Sequence, residues 1–137
     1  MNSIIKKILR LFKLKFTFSL PERKDLLIFD DETINELKFV IEEFNYTVLR
    51  TRIENFNELN LNPKILFKTL FNFRGNIVNA YLISLIKEIS PKIILTNIDN
   101  SWKFSEIARV LNNKYKFFAI QNGSRHDFKR YEHQFKQ

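Results

Sequence analysis

Apolar and polar positions along this chain recur with two different periods, and each period names an element. Residues 3–13 place Ile5, Ile8, Leu9 and Phe12 at i, i+3, i+4 and i+7, with Lys6, Lys7, Arg10 and Lys13 among them. That spacing predicts a short basic amphipathic helix. Pro21 ends this segment and marks the expected boundary between a helix with its linker, 1–22, and the folded domain, 23–137. The run DLLIFD (Asp25–Asp30) is short and almost continuously apolar, as in a strand buried on both faces. Thr33 and Glu36 have capping-box spacing, and Ile34, Leu37, Ile41 and Phe44 form one apolar face behind them. Tyr46–Leu49 reads as a second strand, and 50–62 as a polar, Asn-rich connection.

Pro63 suits the first turn of another helix, whose apolar positions are Leu66 and Leu70. Gly75 separates it from a stronger helix with Val78, Leu82, Leu85 and Ile89 on one face, stopped by Pro91. Lys92–Ile98 (KIILTNI) is a third strand. A fourth helix, capped by Asn100 or Ser101, carries Phe104, Ile107, Ala108 and Leu111. Lys116–Ile120 (KFFAI) is a fourth strand, ending in Gln121-Asn122-Gly123. The order β-α-β-α-α-β-α-β predicts an α/β, Rossmann-like fold: a mainly parallel sheet with helices on both faces. A complete doubly wound sheet has five or six strands, so this one reads as unfinished.

Composition narrows the chemistry. The 137 residues suit one domain, and 45% hydrophobic residues with 15 Phe supply a core. There are no cysteines, so thiol nucleophiles and Cys-ligated zinc are excluded. Two glycines, Gly75 and Gly123, are too few for a P-loop or a dinucleotide-binding turn. His126 and His133 alone make a poor metal site, and no metal or cofactor is expected. The first stretch lacks a secretory signal, because lysines and an arginine interrupt its apolar run. No run approaches the ~20 apolar residues of a spanning helix, so a cytoplasmic location is expected.

The net charge of +8 is uneven. Residues 1–24 hold seven basic residues and one acidic, residues 25–100 eight and eleven, and residues 101–137 eight and three. Two basic ends on an acidic middle do not make the continuous basic face of a nucleic-acid binder, so no nucleic-acid partner is expected. The basic helix over 3–13 suits the anionic inner-membrane surface, or packing on its own domain or a partner.

Ligands of open parallel sheets bind beyond the carboxyl ends of the strands. Three such ends are polar here: Asp30-Asp31-Glu32; Asn97, Asp99 and Asn100; and Gln121, Asn122, Ser124 and Arg125. Amides, a carboxylate and an Arg suit sugar hydroxyls or a phosphate, although the same residue types also cap helices and form turns. The stretch LLIFDDE, helix, YTVL resembles the opening of a receiver domain. That family has a phosphoacceptor aspartate where this chain has Asn97. Asp30-x-Glu32-Thr33 also resembles a haloacid-dehalogenase-like phosphatase, which has aspartate where Glu32 stands.

The later segment carries the more distinctive pattern. Ile98-Asp99-Asn100 after a strand, a helix with the early aromatic Phe104, and Ile120-Gln121-Asn122-Gly123 with Arg125 resemble a family of bacterial surface-carbohydrate (capsule-type) biosynthesis proteins, which is glycosyltransferase-like. The basic helix, the Pro-containing link, LLIFD and Arg52-Ile53-Glu54 continue the likeness, with Ile53 where that family usually has glycine.

The resemblance implies a GT-B architecture of two Rossmann-like domains facing a cleft, on the order of 300 residues in all. This chain would be the N-terminal, acceptor-side half: a truncated frame, a fragment, or a subunit completed by a second Rossmann-like domain on a separate chain. In the complete protein the partners would be a glycan acceptor and a nucleotide sugar. The implied contacts are Asn100, Gln121, Asn122 and Arg125, with Gly123 shaping the loop and Arg52 and Glu54 secondary. Asp99 is the candidate base or hydroxyl-orienting group. A receiver-like regulatory or protein-binding module is the alternative.

Overall fold

Four apolar runs build the main sheet of this computed structural model, which describes residues 14–30, 34–51, 58–97 and 101–120. The chain order is β1 (Lys15–Thr17), β2 (Leu26–Phe29), α1 (Ile34–Ile41), β3 (Tyr46–Leu49), β4 (Glu58–Asn60), α2 (Pro63–Phe71), α3 (Ile77–Ile89), β5 (Ile93–Thr96), α4 (Trp102–Leu111) and β6 (Lys116–Ala119). Strands β3-β2-β5-β6 form one sheet, every pair parallel. The fold is therefore the α/β, Rossmann-like one the periodicity predicts. The helix expected over 3–13 and Thr33 of the expected capping box lie outside the described residues.

Strand β2 is buried along its whole length because both of its faces are covered. Leu26 and Ile28 point to one face and meet Ile41, with Ile34 and Leu37 of α1. Leu27 and Phe29 point to the other and join Ile65, Leu82, Ile86 and Ile107, from α2, α3 and α4. The period-2 alternation of a strand thus sorts the helices into two layers. Phe104 has a core role here. Its ring lies edge-on to Phe29 at 5.4 Å and to Phe117 at 5.5 Å, tying β2, α4 and β6 together.

Local signals set the helix starts. Asn62 Oδ1 accepts from the Lys64 N–H at 2.9 Å, ahead of Pro63. Asn76 Oδ1 accepts from Val78 and Asn79, and Ser101 Oγ from Phe104. Ser101 is thus a cap of α4. Gly75, at φ +90°, makes the turn between α2 and α3.

Two expectations are corrected. First, the segment before Pro21 and the connection 50–62 each contain a strand, because β1 and β4 pair in parallel with Phe16 opposite Leu59. The polar side chains reinforce the join: Asn60 Nδ2 donates to the Ser19 carbonyl at 2.8 Å and Asn62 Nδ2 to the Phe18 carbonyl at 2.7 Å. Residues 15–19 are therefore stitched onto the domain. Second, α2 turns Ile65 and Thr69 inward, while Leu66 and Leu70, the apolar positions that mark the helix in the sequence, face outward. Thr69 can be buried because its hydroxyl bonds back to the Ile65 carbonyl at 2.8 Å.

Candidate functional site

The sheet's strand order reverses between β2 and β5: the chain steps from β2 to β3 on one side and then crosses to β5 on the other. In open α/β sheets that switch point opens the crevice where ligands bind. Asp30 and Asn97 immediately follow the carboxyl ends of β2 and β5, and both are buried, at 5% exposure each. The register Ile28 opposite Leu95 puts them at neighbouring strand ends.

Asp30 adopts a left-handed backbone, φ +69°, which Asp tolerates better than most residues. That conformation lets the chain leave β2 while the carboxylate reaches β3. Oδ1 accepts from the Thr51 N–H at 2.7 Å and from its hydroxyl at 2.8 Å, and Oδ2 lies 3.0 Å from the same hydroxyl. Lys103, in the first turn of α4, donates from Nζ to the Thr51 carbonyl at 3.0 Å. Thr51 thus joins three elements at the carboxyl end of the sheet. Sequence reading singled out Asp30 and Asn97 and missed Thr51 and Lys103. Their only signals were positional: Thr51 follows β3 by two residues, and Lys103 sits at the start of the helix after β5.

Beside Thr51 and Lys103 lies a cleft of about 690 Å³. Leu66, Leu70, Ile77 and Val78 make its walls apolar. An apolar cleft with a few convergent polar groups is the usual setting of a small-molecule site. Tyr81 lines it as well, and its hydroxyl accepts from the Asn60 N–H at 2.8 Å. Burial holds that phenol's pKa above its ordinary value of 10.0. Among the described residues no group of three or more His, Asp or Glu side chains could hold a metal ion.

The residues predicted for ligand contact all lie outside the described residues. These are Asp99, Asn100, Gln121, Asn122, Gly123, Arg125, Arg52 and Glu54. So do Asp31, Glu32, Ser124, His126 and His133. The structure therefore describes the floor from which these segments depart. Comparison with protein-family models, with curated proteins and with solved structures gives no match.

Proposed function

We propose that this chain is the acceptor-side, Rossmann-like domain of a glycosyltransferase-like protein of surface-polysaccharide biosynthesis, and that it transfers no sugar by itself. The observation that carries the reading is the pairing of β5 with β6. The two distinctive sequence elements, Ile98-Asp99-Asn100 and Ile120-Gln121-Asn122-Gly123 with Arg125, are the stretches that continue from these neighbouring strands. A parallel sheet binds ligands at that end. In this reading Asp99 orients or deprotonates an acceptor hydroxyl. Asn100, Gln121 and Asn122 bond sugar hydroxyls, and Arg125 pairs with a phosphate or carboxylate. Arg52 and Glu54 follow Thr51 in the sequence. The donor nucleotide sugar would be held chiefly by a second Rossmann-like domain.

The test is calorimetric titration of acceptor glycans and nucleotide sugars into the chain and into Arg125→Ala. The expected result is acceptor binding that weakens in the variant. A glycan bound equally by both proteins would reject the assignment.

The proposed location is the cytoplasmic face of the inner membrane, with residues 3–13 as a peripheral contact. Among the described residues no helix is long and apolar enough to cross a membrane. Flotation with anionic vesicles should weaken when residues 1–13 are removed, a cut that leaves β1 in place.

A receiver-like protein-binding module is the second reading, favoured by Asp30 and Asn97 at adjacent strand ends. Against it, the Asp30 carboxylate is occupied by Thr51.

A further inference from the structure

Helix α2 breaks the ordinary rule for a surface helix, which turns polar residues to solvent. Its outward face is Leu66, Phe67, Leu70 and Phe71, and Phe67 and Phe71 are 62% and 76% exposed. Their rings touch at 4.7 Å between centroids. The apolar surface continues round the Gly75 turn through Phe73, Ile77 and Val78, each about half exposed. Exposed patches of this kind mark contact with a protein or a membrane.

Charge argues against a second copy of this chain and in favour of an anionic bilayer. The α2–α3 hairpin, residues 63–89, carries Lys64, Lys68, Arg74 and Lys87 against Glu88 alone, inside a stretch of chain that is net acidic. Glu88 is already paired, with Lys64 at 2.9 Å and with Lys68. Between the hairpin and α4 lies a cleft of about 420 Å³ lined by Phe71, Arg74, Lys87 and Arg109, with Glu106 its one acidic side chain, already bonded by Asn79, and with Lys87 donating to Asn72 at 2.7 Å. Lys87 feels the crowding: burial, then the like charges of Lys114, Lys68 and Arg74, hold its ammonium pKa below the ordinary value. A second copy docking through this face would bring the same cations together. An anionic bilayer offers acyl chains to the aromatic rings and phosphates to the cations.

We propose that the tip of the α2–α3 hairpin docks on an anionic lipid surface, with Phe71 and Phe73 entering the headgroup boundary and Arg74, Lys87 and Arg109 taking lipid phosphates. The contact is distinct from residues 3–13 and stands without the glycosyl-transfer reading.

The test is co-sedimentation of the full chain with phosphatidylcholine vesicles, with and without phosphatidylglycerol. Binding should require phosphatidylglycerol and fall with salt. Phe71→Ser combined with Phe73→Ser should weaken it about tenfold or more. Arg74→Ala should weaken it about fivefold. Phe39→Ser, which removes a 77% exposed ring on α1, should leave it unchanged and controls for general stickiness. Circular dichroism confirms that each variant is folded.

The inference fails if the hairpin variants bind as the parent does, if Phe39→Ser weakens binding equally, or if the parent ignores anionic vesicles. It also fails if the hairpin substitutions turn an oligomer into a monomer in sedimentation velocity, which would make the patch a protein interface. Loss of binding on removing residues 1–13, with no effect of the hairpin substitutions, would support the amino-terminal contact and overturn this one.

Discussion

Asp30 holds Thr51 by both its backbone N–H and its hydroxyl, so one buried carboxylate locks the ends of two adjacent strands. Removing the hydroxyl leaves that carboxylate short of donors away from water. Thr51→Val should therefore lower stability by about 1–3 kcal/mol, whereas Thr51→Ser keeps the bonds and should cost less than about 1 kcal/mol. Urea denaturation of the three proteins measures the difference. A Val variant as stable as the parent would show that the hydroxyl's bond to Asp30 contributes nothing.

Tyr81 anchors β4 to α3 through the Asn60 N–H. Tyr81→Phe should cost about 1 kcal/mol. The phenol also predicts a pH effect. Because burial raises its folded pKa above 10.0, its contribution is complete below that value and disappears as pH rises through the folded one. Stability of the parent should fall more steeply than that of Tyr81→Phe between pH ~9 and ~11. Parallel curves in chemical denaturation would exclude Tyr81 as the source.

Glu88 governs the acid side of the hairpin. Hydrogen bonds from Lys68 and then Lys64 hold its pKa below the ordinary 4.5. Its contribution is complete above 4.5 and is lost as pH falls through the lower folded value. Glu88→Gln should flatten the loss of thermal stability in that window and be less stable than the parent at neutral pH. An unchanged acid slope would mean that Glu88 gains nothing from its lysines.

Tyr115 is buried, and its hydroxyl finds no partner among the described residues. A buried hydroxyl without a bond costs stability, so Tyr115→Phe should be neutral or stabilising, by up to about 1 kcal/mol. The ring would still carry Lys114, whose ammonium lies 5.3 Å from its centre. A clear destabilisation in thermal melts would mean that the hydroxyl is satisfied in solution.

The legible parts of the fold were those with one dominant signal. LLIF, YTVL, IILT and KFFA are apolar runs bounded by polar turns, and each is a strand of the main sheet. Strands KFT and ELN were not legible, because three residues carry no period and their pairing depends on parts of the chain far apart. The inward face of α2 was misjudged for a related reason. With Ile65, Leu66, Phe67, Leu70 and Phe71 apolar, periodicity cannot choose a face, and Thr69 faces inward because its hydroxyl is satisfied within the helix. At the site, Asp30 and Asn97 were visible as polar ends of apolar runs. Thr51 was not, since a threonine after a strand signals nothing until a carboxylate reaches it across the sheet.

The β1–β4 pair also imposes an order on synthesis. Phe18 and Asn62 meet across 44 residues of chain, and β2, α1 and β3 all lie inside that loop. A ribosome has to release Glu58–Asn60 before Lys15–Thr17 has an edge to join. Closing a loop that long also costs more entropy than forming the neighbouring β2–α1–β3 unit. Strand β1 is therefore made well before its partner exists, and Phe16 and Phe18 stay largely exposed even after it pairs, at 49% and 65%.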